Sequence, residues 1–526
     1  MKTLFSRYPL PMLFLSLLFA MKALYLAFCI TPLWDVPDET GHFAYVQDIA
    51  EGRGLPLLGN AKINVEVKRH VQNDPSALSA ANWIAQHPPV YYLVAAIPLK
   101  IGSWMTSDPE IVFRLPRIIS ALSGALLLLV LFRTFLLVGL DDARATAISA
   151  AVGFIPMVTH MSSGTSHDVS LFLFCALATY FFARYLIQRN LSDAYWCALW
   201  LTIAGGTKMT AWFFLAPMIV IMCVELTGPI KSWVKHAFGI ALLTLLSPLA
   251  WMSRNMVYFG NPFYTSVTDM KPRLTESLDH SFFDYLQLQP VLEHFMLNFY
   301  GLIGWNGTGI GKLKWFQVNG MPREVFSMLI FILSCISVIY VLMLLYRTFK
   351  LNSPQLTGNS MMSWANNLII KNCLSRKLLV LMLIIGGILA VYLSMKSYAA
   401  PSLFGSMRVF SVGILIFAAI LAMALLFLTP DPVDRVALYG LVLLFVFGMI
   451  ILYQVYGVYL VDGRLRAAHG RYFYPVIPIL LLSISIAVLR LRVPAFFIAV
   501  VTLILAYVEL ETYLLQAIPF YLSGEL

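Results

Sequence analysis

The sequence predicts an all-α polytopic membrane protein of about thirteen transmembrane helices, with short helices lying beside the membrane at its outer face. Three observations carry this. Of 526 residues, 60% are hydrophobic and only 12% charged, and the mean hydropathy is +0.80, which soluble domains do not reach. Apolar runs long enough to cross roughly 30 Å of hydrocarbon recur along the whole chain. Lys and Arg fall in alternate short connections, as they do when one membrane face is inside-positive.

Taken in order, the first span runs from about Leu10 to Ile30, behind the basic start Lys2 to Arg7. Its length and the lack of a small-x-small cleavage site make it a retained helix rather than a signal peptide. With the N-terminus inside, residues 31–112 form a long outer loop. Spans follow at about 113–135 and 145–162, then an outer turn Ser162-Ser163-Gly164-Thr165-Ser166-His167-Asp168, a descent to Arg184 and Arg189, and a short climb to Gly205-Gly206-Thr207-Lys208. The next span descends to Lys231 and Lys235, and the seventh, about 236–252, delivers Arg254 outside. A second long outer loop precedes spans near 323–345, 377–395, 407–428, 436–455, 473–489 and 493–515, with a last outer segment from Asp462 to Tyr472.

The net charge of +10 does not indicate nucleic acid, because the basic residues are dispersed through membrane loops with no solvated domain to hold them. Membrane orientation and anionic ligands absorb it. The six cysteines, Cys29, Cys175, Cys197, Cys223, Cys335 and Cys373, lie singly, without metal-like spacing, and read as packing residues.

The polar residues that need a reason collect at the outer ends of spans, not at mid-helix as a transporter's relay would. Asp35, Asp38, Glu39 and His42 come first. On a helix starting at Pro37, Asp38 and His42 are four apart and Glu39 and His42 three apart, so carboxylate and imidazole share a side. Acids at a helix start also satisfy its dipole, the plainer reading. Phe43, Val46, Ile49 and Ala50 make an apolar stripe that places this helix on the membrane interface. His87-Pro88-Pro89 with Tyr91 and Tyr92 follows, a fixed entry angle beside rings that suit the headgroup level. Asp168 opens span 4, where a cap is the ordinary role. Lys208, between two apolar runs, must snorkel or meet an anion, and phosphate is the natural one. Arg254, and Arg471 followed by Tyr472, sit at outer helix ends, where Arg either anchors or grips phosphate bidentately.

Together these motifs resemble the C superfamily of membrane glycosyltransferases, which use polyprenyl-phosphate sugars. Glycosyltransferase family 39, with the protein O-mannosyltransferases and the lipid A aminoarabinose transferases, is the nearest part. Asp38-Glu39 before His42-Phe43 resembles the acidic pair of their first outer loop, and His87-Pro88-Pro89 their His-Pro-Pro segment. Arg114-Leu115-Pro116 with Ser120 to Gly124 resembles the opening of the next span; Asp168 and Thr207-Lys208 fall where the family has a second acid and Thr-Lys. Residues 37–46 and 470–475 are closest to a bacterial branch with Pro-Asp-Glu-x-x-His and Gly-Arg-Tyr-Phe-x-Pro segments. Asp35 is a departure, a third acid without a family role.

The resemblance implies a transmembrane catalytic module at 1–255 including the first outer loop at 31–112, a second long outer loop at 256–322, and C-terminal helices at 323–526. It implies inverting transfer of a sugar from a polyprenyl-phosphate donor to a cell-envelope glycan or lipid-linked acceptor, at the outer, periplasmic face of a bacterial inner membrane. Asp38 would be the base, with Glu39, His42, Asp35 and Asp168 around it. Lys208, Arg254, Arg471, His87, Tyr91, Tyr92 and Tyr472 would hold the donor. No cofactor is required, and a divalent cation is used by some relatives although no ligand set here demands one. A lipid or polysaccharide flippase and an O-antigen ligase or polymerase are the other classes to weigh.

Overall fold

The chain forms helices because its apolar runs must satisfy their own backbone groups in lipid. The computed structural model describes residues 8–72, 78–266, 277–303, 316–350, 402–465 and 468–523, with 381, 383, 385–389 and 392. The helices are α1 (Leu10–Tyr25), α2 (Glu39–Ala50), α3 (Val65–Gln72), α4 (Val90–Gly102), α5 (Pro109–Val112), α6 (Arg117–Leu137), α7 (Asp142–Gly153), α8 (Pro156–Ser162), α9 (Asp168–Gln188) and α10 (Leu191–Gly205). Then come α11 (Trp212–Glu225), α12 (Ile230–Phe259), α13 (Phe282–Leu288), α14 (Val291–Tyr300), α15 (Met321–Lys350), α16 (Leu403–Leu426), α17 (Pro432–Asp462), α18 (Ile477–Arg490), α19 (Ala495–Glu511) and α20 (Ile518–Ser523). Two pairs of two-residue strands, 62–63 with 80–81 and 302–303 with 316–317, brace the long loops.

Among the described residues, eight helical segments are long and apolar enough to cross a membrane; α7 and α8, bent by 68°, make a ninth if they form one broken span. The expected short span up to Gly205, the next one descending towards Lys231, and the span at 473–489 appear as α10, α11 and α18, only 15, 14 and 14 residues long. At 1.5 Å per residue each reaches ~22 Å, less than the hydrocarbon thickness. More than half of the expected span at 377–395 lies outside the described residues.

α9 is the central helix: 83% of its most apolar window is buried, against 28% in α1. It packs against α6 and α10 on one side and α17 and α18 on the other, so one apolar core runs from Met12 to Ala487. Partly buried ion pairs tie distant helices together. Lys22 Nζ of α1 meets Glu509 of α19 at 2.8 Å, and Glu225 of α11 meets Arg189 at 3.1 Å and Arg435 of α17.

Two expectations fail here. The apolar stripe of α2 is covered by protein rather than left open: Glu39 to Gln47 are all buried, with Phe43 and Val46 packed against Trp34, Ile63, Tyr92 and Phe113. Periodicity reports a buried stripe without saying whether protein or lipid covers it. α4, by contrast, leaves an apolar side open, with Leu93, Ile97 and Ile101 about half exposed. Cys29 is exposed rather than a packing residue; Cys175 and Cys197 are buried as expected, and Cys373 is outside the described residues.

Candidate active site

The loop ends of the bundle bring residues 34–42, 83–92, 165–168, 208 and 471–472 together. The turn before α2 is strained: Trp34 and Asp38 hold φ of 73° and 61°, in the left-handed region that non-glycine residues avoid. Such conformations persist where the surroundings over-determine them, commonly at functional sites. Asp38 is the N-cap of α2 but makes no capping hydrogen bond. Its carboxylate points away from the helix: Trp83 Nε1 donates to Oδ1 at 3.2 Å, and Arg471 Nη2 lies 3.6 Å from Oδ2.

Glu39 faces the other way. Arg117 donates from Nε and Nη2 at 2.8 Å each, and the backbone N–H groups of Thr165 and Trp34 donate at 2.7 and 2.9 Å. Arg117 also donates to the carbonyls of Ala27, Thr31 and Pro32. Both side chains are fully buried. The pair therefore clamps the end of the first span, the turn before α9 and the start of α6 to one another.

Asp168 sits at the first turn of α9, where the helix N-terminus favours an anion. Lys208 Nζ donates to its Oδ1 at 2.5 Å and Arg471 Nε lies 3.0 Å from Oδ2. Lys208 can reach it because α10 stops at Gly205 and the chain turns inward through Gly206 and Thr207, both buried. Tyr472 lies beneath both cations, its ring 4.9 Å from Lys208 Nζ and 5.8 Å from Arg471 Cζ. Gly470 is required beside them: a Cβ there would lie 2.2 Å from Phe299 N and 2.3 Å from Phe295 O of α14. Two carboxylates and two cations thus form one chain, Asp38–Arg471–Asp168–Lys208. Asp38 is 24% exposed, whereas Asp168, Lys208 and Arg471 are 3%, 6% and 4% exposed.

Burial raises the Asp38 carboxyl above its ordinary value, opposed chiefly by Arg471, then by the Trp83 N–H and Lys208. Burial lowers the Lys208 ammonium, opposed by Asp168. His42 is pushed down to about 3 by burial, with Asp168 opposing and Lys208 and Arg471 reinforcing. His87 and His167 are lowered by burial too, each with Lys208 adding to the effect. The three imidazoles are neighbours, with ring centroids 4.6 Å apart for His42 and His167 and 4.7 Å for His87 and His167. Tyr92 Oη hydrogen-bonds His42 Nδ1 at 2.9 Å and His167 Nδ1 at 2.8 Å.

Three expected residues stand apart. Asp35 turns into the protein, accepting from Tyr521 Oη at 2.7 Å with His160 Nε2 3.9 Å away. Tyr91 pairs with Ser120 Oγ at 3.0 Å. Arg254 stacks over Trp251 at 4.2 Å and donates to the Pro56 carbonyl at 2.8 Å. The sequence reading missed Arg117, Trp83 and His167 as parts of this region. Arg117 carried a signal, a charge directly before a long apolar run; His167 stood next to Asp168, where a lone histidine looks like a helix start.

An apolar cavity of about 630 Å³ lies among α7, α14, α15, α16, α17, α18 and α19. Gly470 and Phe473, on either side of Arg471 and Tyr472, line it with Phe295, Phe326 and Leu444. Among the described residues, no group of three or more His, Cys, Asp or Glu side chains is arranged to hold a metal ion.

Fold and site together define a multi-span all-α membrane protein with a buried ion-paired site at one end of its bundle. The chain belongs to the family described as "Predicted membrane protein (DUF2142)", whose model matches residues 60–406. No curated protein matches it. Among solved structures it is similar to the S. cerevisiae protein O-mannosyltransferase Pmt1-Pmt2 complex bound to the sugar donor, at 17% identity and a TM-score of 0.35 over 56% of this chain. The chain spans 37% of the length of that one. It is also similar to ArnT from Cupriavidus metallidurans in the apo state, at 13% identity and a TM-score of 0.34 over 90% of this chain and 77% of that one. The same protein bound to undecaprenyl phosphate gives 13% and 0.34 over 91% and 77%.

Proposed function

We propose that this protein is an inverting glycosyltransferase that moves a sugar from a polyprenyl-phosphate donor to a hydroxyl of a cell-envelope glycan or lipid-linked acceptor. In this reading it lies in a bacterial inner membrane with its N-terminus cytoplasmic and its site at the outer face. One observation carries the reading: a partly exposed carboxylate, Asp38, lies beside Arg471, which shares Asp168 with the buried Lys208, and Gly470 and Phe473 on either side of Arg471 and Tyr472 line a large apolar cavity. A molecule with an anionic head and a long apolar tail fits that combination, since the tail gains by staying out of water while the head meets fixed positive charge.

The acceptor oxygen attacks the anomeric carbon, the bond from that carbon to the phosphate oxygen breaks, and Asp38 takes the hydroxyl proton. The departing phosphate keeps the electron pair, and Lys208 and Arg471 offset its charge where it develops. Before the donor arrives, Asp168 holds these two cations side by side against their mutual repulsion. Glu39, with all its acceptor positions occupied by Arg117 and backbone donors, positions Asp38 without touching substrate. We assign Asp35, Tyr91 and Arg254 no contact with the reacting atoms.

The test is transfer of a labelled sugar from a polyprenyl-phosphate donor to an envelope extract by the purified protein. Transfer lost in Asp38→Asn but not in Asp35→Asn supports the reading. Tight binding of undecaprenyl phosphate with no transfer from any donor sugar would overturn it in favour of a lipid-handling protein.

A further inference from the structure

Two of the three imidazoles beside the ion-pair chain, His42 and His167, are more closely specified than their residue type suggests. Tyr92 has one hydroxyl proton and faces two imidazole nitrogens, His42 Nδ1 at 2.9 Å and His167 Nδ1 at 2.8 Å. One histidine must therefore donate to Tyr92 and the other accept from it. Asp168 decides which. His167 Nε2 lies 3.4 Å from Asp168 Oδ1, and that carboxylate is in contact with Lys208 and Arg471. A lone pair on Nε2 would face a full negative charge, so Nε2 carries the proton and Nδ1 is left to accept from the Tyr92 hydroxyl. The Tyr92 oxygen then accepts from His42 Nδ1–H, and His42 keeps a bare lone pair on Nε2. Burial and the nearby cations keep both rings neutral.

We propose that His42 contacts the substrate through Nε2, accepting a hydrogen bond from a hydroxyl of a neutral sugar, and that Tyr92 and His167 are positioning residues that fix its tautomer. The inference rests on the transferase reading and names what that site recognises. The aromatic surroundings hold the chain in place: Tyr92 stacks on Tyr45 with centroids 3.9 Å apart and interplanar angle 8°, and His42 and His167 meet edge to face at 89°. The hydroxyl belongs to the donor sugar or to the acceptor; the chemistry is the same, and the experiment separates them.

Protein labelled with ¹⁵N-histidine, with resonances assigned through His42→Asn and His167→Asn, should show His42 protonated on Nδ1 and His167 on Nε2 at neutral pH. The opposite tautomers, or an imidazolium at either position, overturn the chain whatever the activity. Tyr92→Phe keeps the stacked ring and removes the hydroxyl; it should mix the His42 tautomers and slow turnover ~10-fold while undecaprenyl phosphate binds as before. His42→Asn keeps a donor for Tyr92 and removes the lone pair, whereas His42→Gln restores an acceptor near the Nε2 position. Across donors and acceptors lacking one hydroxyl each, one compound should cost the wild type ~10-fold, cost His42→Asn nothing further, and cost His42→Gln an intermediate amount. A donor analogue in that place identifies the transferred sugar, and an acceptor analogue identifies the acceptor. Transfer with every penalty unchanged in His42→Asn overturns this inference alone; a wild type that transfers no sugar from any donor overturns the function with it.

Discussion

Asp38 and Glu39 share a peptide bond, yet the Glu39 carboxylate accepts four hydrogen bonds inside the protein while Asp38 is held in a left-handed conformation with a single tryptophan donor and a cation 3.6 Å away. The first arrangement is closed: nothing that enters the site can improve it. The second is open, since Asp38 has accepting capacity left over and part of its surface is free. Two acids that look equivalent as a motif divide into a clamp and a chemical group, and the backbone conformation at Asp38 is what sends the two side chains apart.

Breaking the clamp has the largest expected effect. Arg117→Ala leaves Glu39 buried without its cation, which costs about 3–5 kcal/mol for a buried pair. Thermal unfolding in detergent should show a large loss, with transfer and donor binding falling together; unchanged stability would mean that the clamp is not what holds the first loop. Asp38→Asn comes next, ~100-fold or more in turnover, with the unfolding midpoint and undecaprenyl phosphate affinity unchanged. A parallel loss of stability would put Asp38 in the same class as Glu39 and erase the contrast.

Lys208→Ala should weaken undecaprenyl phosphate binding ~10-fold and turnover by at least as much, because the phosphate is charged in both ground and transition states. The pH profile then sharpens the picture of Asp38. The base must be ionised and its carboxyl is raised by burial, so kcat/KM should fall as pH drops through a value above the ordinary 3.8. No limb is expected near 6.5, since His42, His87 and His167 are all lowered. The smallest effect is that of Asp35→Asn: Asp35 faces Tyr521 and His160, and turnover should stay within about threefold of the wild type.

Much of this arrangement was legible in the sequence because ionisable residues at the ends of apolar runs have few reasons to be there. Asp38, Asp168, Lys208 and Arg471 were each singled out on that ground, and the fold brings them together from four distant stretches. The division of labour between Asp38 and Glu39 was not legible, since it depends on one backbone φ and on Arg117 arriving from another helix. Arg254 looked equivalent to Arg471 because both close a helix; only the chain's path shows that a carbonyl at Pro56 occupies one guanidinium and carboxylates the other. The α2 stripe predicts a face turned to the membrane interface, whereas α4 and the 83–86 turn pack on this helix and its Phe43 and Val46 are buried in protein.

The Lys22–Glu509 contact has a consequence for how the molecule is made. The two residues are 487 positions apart, and Lys22 lies midway along the first apolar helix. At about 5–20 residues per second, roughly 25 to 100 s pass between the synthesis of one partner and the other. Throughout that interval the newborn first helix carries an ammonium group in a membrane without its carboxylate, a costly state. The carbonyl of Gly153 and the hydroxyl of Thr159 reach Lys22 first, at 2.9 and 3.0 Å, and the charge that neutralises the ammonium arrives only with α19.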